Sequence, residues 1–394
     1  MSDVRVAGVG MVPFSKPSAG ERYEDMAGRA ISAALADSGI GLGDVQQAFA
    51  SYVYGDSTCG QAALYGVGMT GLPVVNVNNN CASGSSGLWL ARQAVASGAA
   101  DVVLAFGFEQ MQRGALVEQW QDRLSPLGRF MDRQDELQGK GEEGVPMAAR
   151  FFGGAGQAHM DAFGTSREAF GMISVKARKH AANNPNAVFR EPLTLEEVMT
   201  SPHIFGPLTR LQCCPPTSGG AAVVLVSEDY ARSKGLSATV RIAGQSMTTD
   251  SESTFTGDMR HVIGYGIAAA AAEQAYSQAG IGPEDIPVVE LHDCFTANEL
   301  ITYEALGLTP EGTAEKFIMD GDNTYGGRVV TNPSGGLLAK GHPLGATGLA
   351  QCAELTWQLR GTAGARQVEG ARTALQHNLG LGSACVVTVY QAVD

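Results

Sequence analysis

The sequence predicts a layered α/β fold made of two copies of one unit. One observation is a pair of glycine patterns that align without a gap. Gly84, Gly87 and Leu88 pair with Gly345, Gly348 and Leu349, each 261 residues on. A second is the alternation of apolar runs, such as Val102-Val-Leu-Ala-Phe106 and Ala221-Ala-Val-Val-Leu-Val226, with Ala-rich amphipathic stretches at Tyr23–Ser38 and residues 267–279. Continuous apolar strands between helices indicate sheets covered on both faces.

The elements repeat in order along the chain. The opening strand Val4-Arg-Val-Ala-Gly8 recurs as Val240-Arg-Ile-Ala-Gly244. The first helix and its exit, Ala34-Leu-Ala-Asp-Ser-Gly-Ile-Gly-Leu-Gly-Asp44, recur as Ala275-Tyr-Ser-Gln-Ala-Gly-Ile-Gly-Pro-Glu-Asp285. A strand ending near Ser51 corresponds to the apolar run 286–291. The last strand, Gly220–Val226, recurs as residues 383–389, now only 163 residues on. The fall in spacing from 261 to 163 locates an insertion in the first copy, between about residues 110 and 218. The halves are therefore 1–235, including the insertion, and 236–394. Within the insertion, periodicity is clear only at 166–182 and 195–200, which predicts a loop-and-helix domain projecting over the core, where loops commonly carry binding function.

At 394 residues the chain is long enough for more than one core. Its net charge of −13 argues against nucleic acid or an anionic membrane as a general partner. An anionic small molecule would need a local basic site, and the insertion offers Arg113, Arg129, Arg133, Lys140, Arg167, Lys176, Arg178 and Lys179. The longest apolar stretch, 262–272, is too short to span a bilayer, and no signal pattern precedes Val4. The seven cysteines show no metal-ligand spacing, so no metal is expected, and their odd number suits free thiols in a reducing compartment, the cytoplasm. The adjacent Cys213-Cys214 pair reads as packing.

Cys81 is the most informative residue. It closes an apolar run and opens a small-residue helix in Val77-Asn-Asn-Asn-Cys81-Ala-Ser-Gly-Ser-Ser-Gly87. A thiol there meets the free N–H groups and positive end of the helix, which favour a thiolate and stabilise an oxyanion on a group bonded to sulfur. At the repeat spacing Cys81 corresponds to His342, in Gly341-His342-Pro343. A Cys–His pair on related turns suits covalent catalysis, with His342 as base or as donor to a carbonyl oxygen. His292 and Cys294, in Leu291-His-Asp-Cys-Phe295, follow a core strand and, two residues apart, are expected on one face. Gln376-His-Asn378-Leu-Gly380-Leu-Gly382 reads as a Gly-rich turn between the last two strands, with Asn378 and Gly380 bringing backbone N–H groups to a substrate oxygen.

Together, Asn-Asn-Asn-Cys81-Ala-Ser-Gly, His292-Asp-Cys-Phe, Asn332-Pro-Ser-Gly-Gly-Leu-Leu-Ala-Lys-Gly-His342-Pro-Leu-Gly-Ala-Thr-Gly and Gln376-His-Asn-Leu-Gly-Leu-Gly resemble the thiolase superfamily, most of all its sterol-carrier-protein-2-type, or lipid-transfer-protein, branch. The resemblance spans nearly the whole chain. It implies a duplicated five-layer α-β-α-β-α fold, a homodimer or homotetramer, and coenzyme A as co-substrate bound by the inserted loop domain, with no permanently bound cofactor. It implies cleavage of a 3-oxoacyl-CoA by CoA, or the reverse Claisen condensation, through an acyl-cysteine on Cys81. His342 takes the role of the Gly-His-Pro histidine. Many thiolases carry a second cysteine in a Cys-x-Gly motif where this chain has Gln376-His-Asn378. In the sterol-carrier branch the cysteine of His-Asp-Cys-Phe, here Cys294, stands in for it. The alternatives are a condensing enzyme of the same fold that needs a small accessory protein, and a non-catalytic lipid-transfer protein.

Overall fold

The computed structural model describes residues 3–114, 116, 118–140, 144–382 and 384–393. Ser383, which the repeat pairs with Gly220, lies outside them. Strands β1 (Val4–Met11), β2 (Gln47–Ser51), β3 (Val74–Val77) and β4 (Val102–Glu109) open the chain. A small hairpin of β5 (His203–Phe205) and β6 (Leu208–Thr209) lies in the insertion, and β7 (Gly219–Ser227) closes the first half. The second half supplies β8 (Val240–Thr248), β9 (Val288–Glu290), β10 (Val330–Thr331), β11 (Thr373–Gly380) and β12 (Ala384–Ala392).

The strand order β3-β2-β4-β7-β1-β8-β12-β11-β9-β10 reads the same from both ends once repeat partners are equated. Among the described residues the two half-sheets pair where Arg5 and Val6 of β1 face Arg241 and Val240 of β8. Alternate side chains of β4 go to opposite faces. Val102, Leu104 and Phe106 pack under the outer helix Tyr23–Ser38, whereas Val103 and Ala105 face a central layer with Leu88, Ala91, Leu349 and Ala353. Those last four belong to the helices Ser83–Ala96 and Leu344–Arg360. In the other half Val288 and Ala374 face the same centre, while Val289 and Leu375 pack under the outer helix Tyr265–Ala279. The five layers are thus helix, sheet, helix pair, sheet and helix. The repeated Gly-Ile-Gly has a local cause. Gly39 and Gly280 close the two outer helices at φ 68° and 69°, a left-handed conformation that costs a residue without Cβ little.

The insertion holds more helix than periodicity predicts. Arg167–Ala181 and Leu195–Thr200 form, the latter with a capping box between Thr194 and Glu197, but so do Gly128–Gln138 and Met147–Phe163. Gly153, Gly154 and Gly156 hide the last from a propensity reading. They are required by packing, because a Cβ on them would stand 2.7 Å from Phe205 O, 2.2 Å from Gln138 Oε1 and 2.8 Å from Pro207 Cγ.

The Gly-rich turn expected over residues 376–382 is mostly strand. β11 continues through Gly380, paired with β12, and its first part also pairs with β9, so His377 and Asn378 are buried polar residues of a central strand. Their polarity, which suggested a loop, serves the interior instead.

Close backbone contact between the halves gives a direct test. A Cβ on Gly107 would stand 2.0 Å from Gly345 O, with only backbone to yield. Gly107→Ala should cost about 2 kcal/mol or more, read as a lowered thermal midpoint. Gly43→Ala, with nothing within 4 Å, should leave that midpoint near native.

Candidate active site

Cys81, His292 and His342 converge from three different segments. The Cys81 sulfur and a ring nitrogen from each histidine lie within 4.8 Å of one another. The histidine rings meet edge to face, with centroids 5.0 Å apart. Cys294 lines the same cavity of about 460 Å³. Its floor carries these four residues. Its walls come largely from the insertion, including Met111, Leu116, Pro146, Ala149, Phe152 and Ile204. Among the described lining residues Arg210 alone bears a fixed charge.

The turn before Cys81 is set by Asn80. Its φ of 52° is left-handed, a conformation Asn tolerates better than most side chains, and its Nδ2 donates to Leu381 O at 2.9 Å. That bond draws the β11–β12 turn over the start of the Ser83–Ala96 helix. The N–H groups of Cys81 and Leu381 both act on the Cys81 sulfur and pull its pKa down. They lose to burial and to the nearby Glu109 carboxylate, which together push the thiol up to about 12. A resting thiolate, expected from the helix terminus alone, is therefore replaced by a resting thiol: desolvation outweighs the dipole at a buried site.

The histidines are held in opposite tautomers. Thr347 donates its hydroxyl hydrogen to Pro343 O at 3.0 Å, so at 2.7 Å it accepts from His342 Nδ1–H. His342 Nε2 is then a bare lone pair, buried and without a partner among the described residues. Burial drops the His342 pKa to about 3, so the ring is neutral at physiological pH. His292 receives Asn378 Nδ2 on its Nδ1 at 2.9 Å, which puts its hydrogen on Nε2. The Asn378 amide is itself oriented by Ser85 Oγ, 2.8 Å from Oδ1. Burial, with His342 and His377 nearby, holds His292 well below its usual pKa.

The segment bearing His342 hangs from β9. Glu290 accepts from Ser334 N and Oγ and pairs with Lys340 Nζ at 3.3 Å. Asp293 accepts from Leu337 N at 2.7 Å and Leu338 N at 3.3 Å. His342 N donates to Thr217 Oγ1 at 2.6 Å. His292 and Cys294 lie past the end of β9, in irregular backbone, so strand alternation is not what brings them to one cavity. The Asp293 clamp and the Asn298 side chain, which donates to His292 O, shape that stretch instead.

Of the two loop residues singled out, Asn378 meets the site through its side chain. Gly380 meets it through absent bulk, since a Cβ there would stand 2.2 Å from Asn79 O. The N–H at the sulfur belongs to Leu381. The Cys213-Cys214 pair, read as packing, lines the cavity, and Cys214 N donates to Cys294 O at 2.9 Å. Of the basic residues in the insertion, Lys176 is spent in a buried ion pair with Glu299, Arg129 lies 3.9 Å over the Phe255 ring and Arg178 4.5 Å over Phe189. Arg210, Thr347 and Glu109 carried no sequence signal of their own.

The comparisons with known proteins agree with this architecture. Residues 4–229 match the family model for the thiolase N-terminal domain, and 249–392 that for the thiolase C-terminal domain-like family. This chain belongs to the thiolase family. It is 51% identical to sterol carrier protein 2 of Oryctolagus cuniculus over 393 residues, covering 98% of this chain and 72% of that protein. It is 35% identical to the acetyl-CoA acetyltransferase of Methanothermobacter thermautotrophicus, covering 96% and 97%. A solved structure described as an Ltp2-ChsH2(DUF35) aldolase superposes with a TM-score of 0.82 at 28% identity, over 99% of this chain and 98% of that one. Among the described residues no helix is long and apolar enough to cross a membrane.

The protonation of Cys81 and the Asn80–Leu381 bond are each open to measurement. The rate of Cys81 alkylation by iodoacetamide should keep rising about tenfold per pH unit from pH 7 to 9, the behaviour of a thiol with a high pKa; a plateau near pH 7 in the modified-peptide yield would instead report a resting ion pair. Asn80→Ala should lower acyl-transfer turnover by about 10² as the Leu381 N–H drifts from the sulfur, checked by steady-state kinetics.

Proposed function

We propose that this thiolase-family chain is an acetyl-CoA acyltransferase of the sterol-carrier-protein-2 type, cleaving 3-oxoacyl-CoA with CoA or running the reverse condensation. The observation that carries this reading is the Cys81 thiol beside the unpartnered His342 Nε2 at the floor of an apolar cavity. A lipid carrier needs no nucleophile and no bare base. The thiol rests protonated and the imidazole neutral, so proton transfer accompanies attack.

In thiolysis Cys81 Sγ attacks the 3-oxo carbon while its proton passes to His342 Nε2. The N–H groups of Cys81 and Leu381 receive the tetrahedral oxyanion. The C2–C3 bond breaks, leaving an acyl thioester on Cys81 and the enolate of acetyl-CoA. His292 Nε2–H, held in place by Asn378, donates to the enolate oxygen, with His342 beside it. Cys294 protonates C2. Burial and the neighbouring Cys214 and Cys81 push the Cys294 thiol well above its ordinary pKa, which keeps it protonated until a strong carbon base forms. A second CoA gives its thiol proton to Cys294 and takes the acyl group, and the Cys81 thiolate released takes its proton back from His342 Nε2. Arg210, at the cavity wall, is the basic side chain placed to meet the anionic part of the coenzyme.

A partner-dependent variant of this chemistry has one specific support, the DUF35 partner named with the aldolase of similar fold. One assay separates the thiolase reading from the condensing-enzyme and carrier readings. Acetyl-CoA release from a medium-chain 3-oxoacyl-CoA plus CoA should vanish in Cys81→Ala, with ping-pong kinetics in the native chain. No release from the folded native chain across several chain lengths would remove the thiolase reading of the isolated protein. His292→Ala should lose about 10²–10³ in kcat, the usual cost of an oxyanion donor, and near-native turnover would remove His292 from the scheme.

A further inference from the structure

The duplication makes the two central helix termini comparable, and they are finished differently. β4 and β11 hold corresponding places in the two half-sheets, and each runs eight residues toward the start of a central helix of the opposite half. β11 ends in Gly380, beside Ala82 N just before the Ser83–Ala96 helix, and so brings no carboxylate to that terminus, where Ala82 N and Ser83 N donate to Asn79 O and Asn80 O. β4 ends in Glu109. Its Oε2 accepts Gly345 N at 3.0 Å, in the first turn of the Leu344–Arg360 helix. The same carboxylate accepts Tyr54 N at 2.8 Å and Val53 N at 3.1 Å. It is 1% exposed. Nothing in the proposed chemistry uses it, and burying a carboxylate carries a desolvation cost that calls for a reason.

We propose that Glu109 is a positioning residue that stoppers the helix terminus of the second half and so fixes the His342 turn against Cys81. Its three acceptor bonds join the loop after β2 to Gly345, three residues past His342, across the boundary between the halves. The fit leaves no slack, since a Cβ on Gly345 would stand 2.3 Å from Ser51 O and 2.5 Å from Phe108 O. One helix terminus is thereby held by a carboxyl group of the protein, and its twin has a glycine at the corresponding place. Burial pushes the Glu109 carboxyl up to about 7, so above that pH it is charged, and its charge there raises the Cys81 pKa and opposes premature thiolate formation. The other titratable groups facing Cys81 are Tyr54, His292, His342, Cys214 and Cys294.

The test uses Glu109→Gln with two readouts. One is steady-state acetyl-CoA release, which rests on the thiolase reading. The other is Cys81 alkylation against pH, scored on the Cys81 peptide, which stands whether or not that reading holds. The proposal expects kcat to fall by about 10² with KM near native, the effect of a small misplacement of catalytic groups. It expects the alkylation profile to move about one pH unit toward acid as the neighbouring negative charge is lost. A folded variant in which either kcat or the alkylation profile stays native overturns it, because a merely structural glutamate would lower only the thermal midpoint. If Glu109→Gln does not fold, Glu109→Asp keeps the charge on a shorter arm. Reduced kcat with a native alkylation profile supports the proposal, and native kcat overturns it.

Discussion

Between the two central helices there is room for backbone and little else. A Cβ on Gly84 would stand 2.8 Å from Gly345 O, and one on Gly348 would stand 2.1 Å from Ser85 Oγ. This contact brings the start of one helix, with Cys81, to within a few residues of the start of the other, with His342. It also decides what the surrounding strands can carry at their ends, because each points at a helix terminus of the opposite half. The paired glycine patterns, the five layers and the convergence of Cys81 and His342 are consequences of one close approach between two copies of a unit.

Around that contact several charged groups are buried, and each is held by partners. Glu290 with Lys340, Asp293 with two backbone N–H groups, and Lys176 with Glu299 all sit at or near full burial. Breaking such a pair leaves an uncompensated charge, so each acts as a geometric clamp rather than as a large net source of stability. Two of these clamps hold the segment that ends in His342, and the third ties the inserted helix Arg167–Ala181 to Thr296–Ala305. The insertion is thus anchored to the half of the molecule that it does not belong to in sequence, and its Met111–Ile204 wall closes over the floor of the cavity.

The same burial sets the protonation states. Water is excluded from Cys81, His292 and His342, which favours the neutral form of each, and the partners of the far ring nitrogens then decide which edge of each histidine faces inward. Thr347 leaves His342 a lone pair, and Asn378 leaves His292 a hydrogen. A lone pair and a hydrogen presented by the same residue type, side by side, need no difference in charge. They need only different hydrogen-bond partners behind them.

The duplication, the layered fold and the candidate residues Cys81, His292, Cys294 and His342 were legible in the sequence, because spacing along the chain survives folding and because a few residue types carry most covalent chemistry. Other features were written in contacts between residues far apart in the chain. The strand character of His377 and Asn378 came from burial between β9 and β12, which reverses the usual meaning of polar residues. The helix Met147–Phe163 was masked by glycines that only its neighbours explain. The wall position of Cys214, the Leu381 N–H at the sulfur and the resting thiol of Cys81 depend on what surrounds them, and local pattern does not record surroundings. The sequence by itself determined the two-fold plan and the reactive residue types. The tertiary structure decided their protonation, their tautomers and which of two equivalent helix termini takes a carboxyl group, since desolvation and hydrogen-bond partnership exist only once distant segments have met.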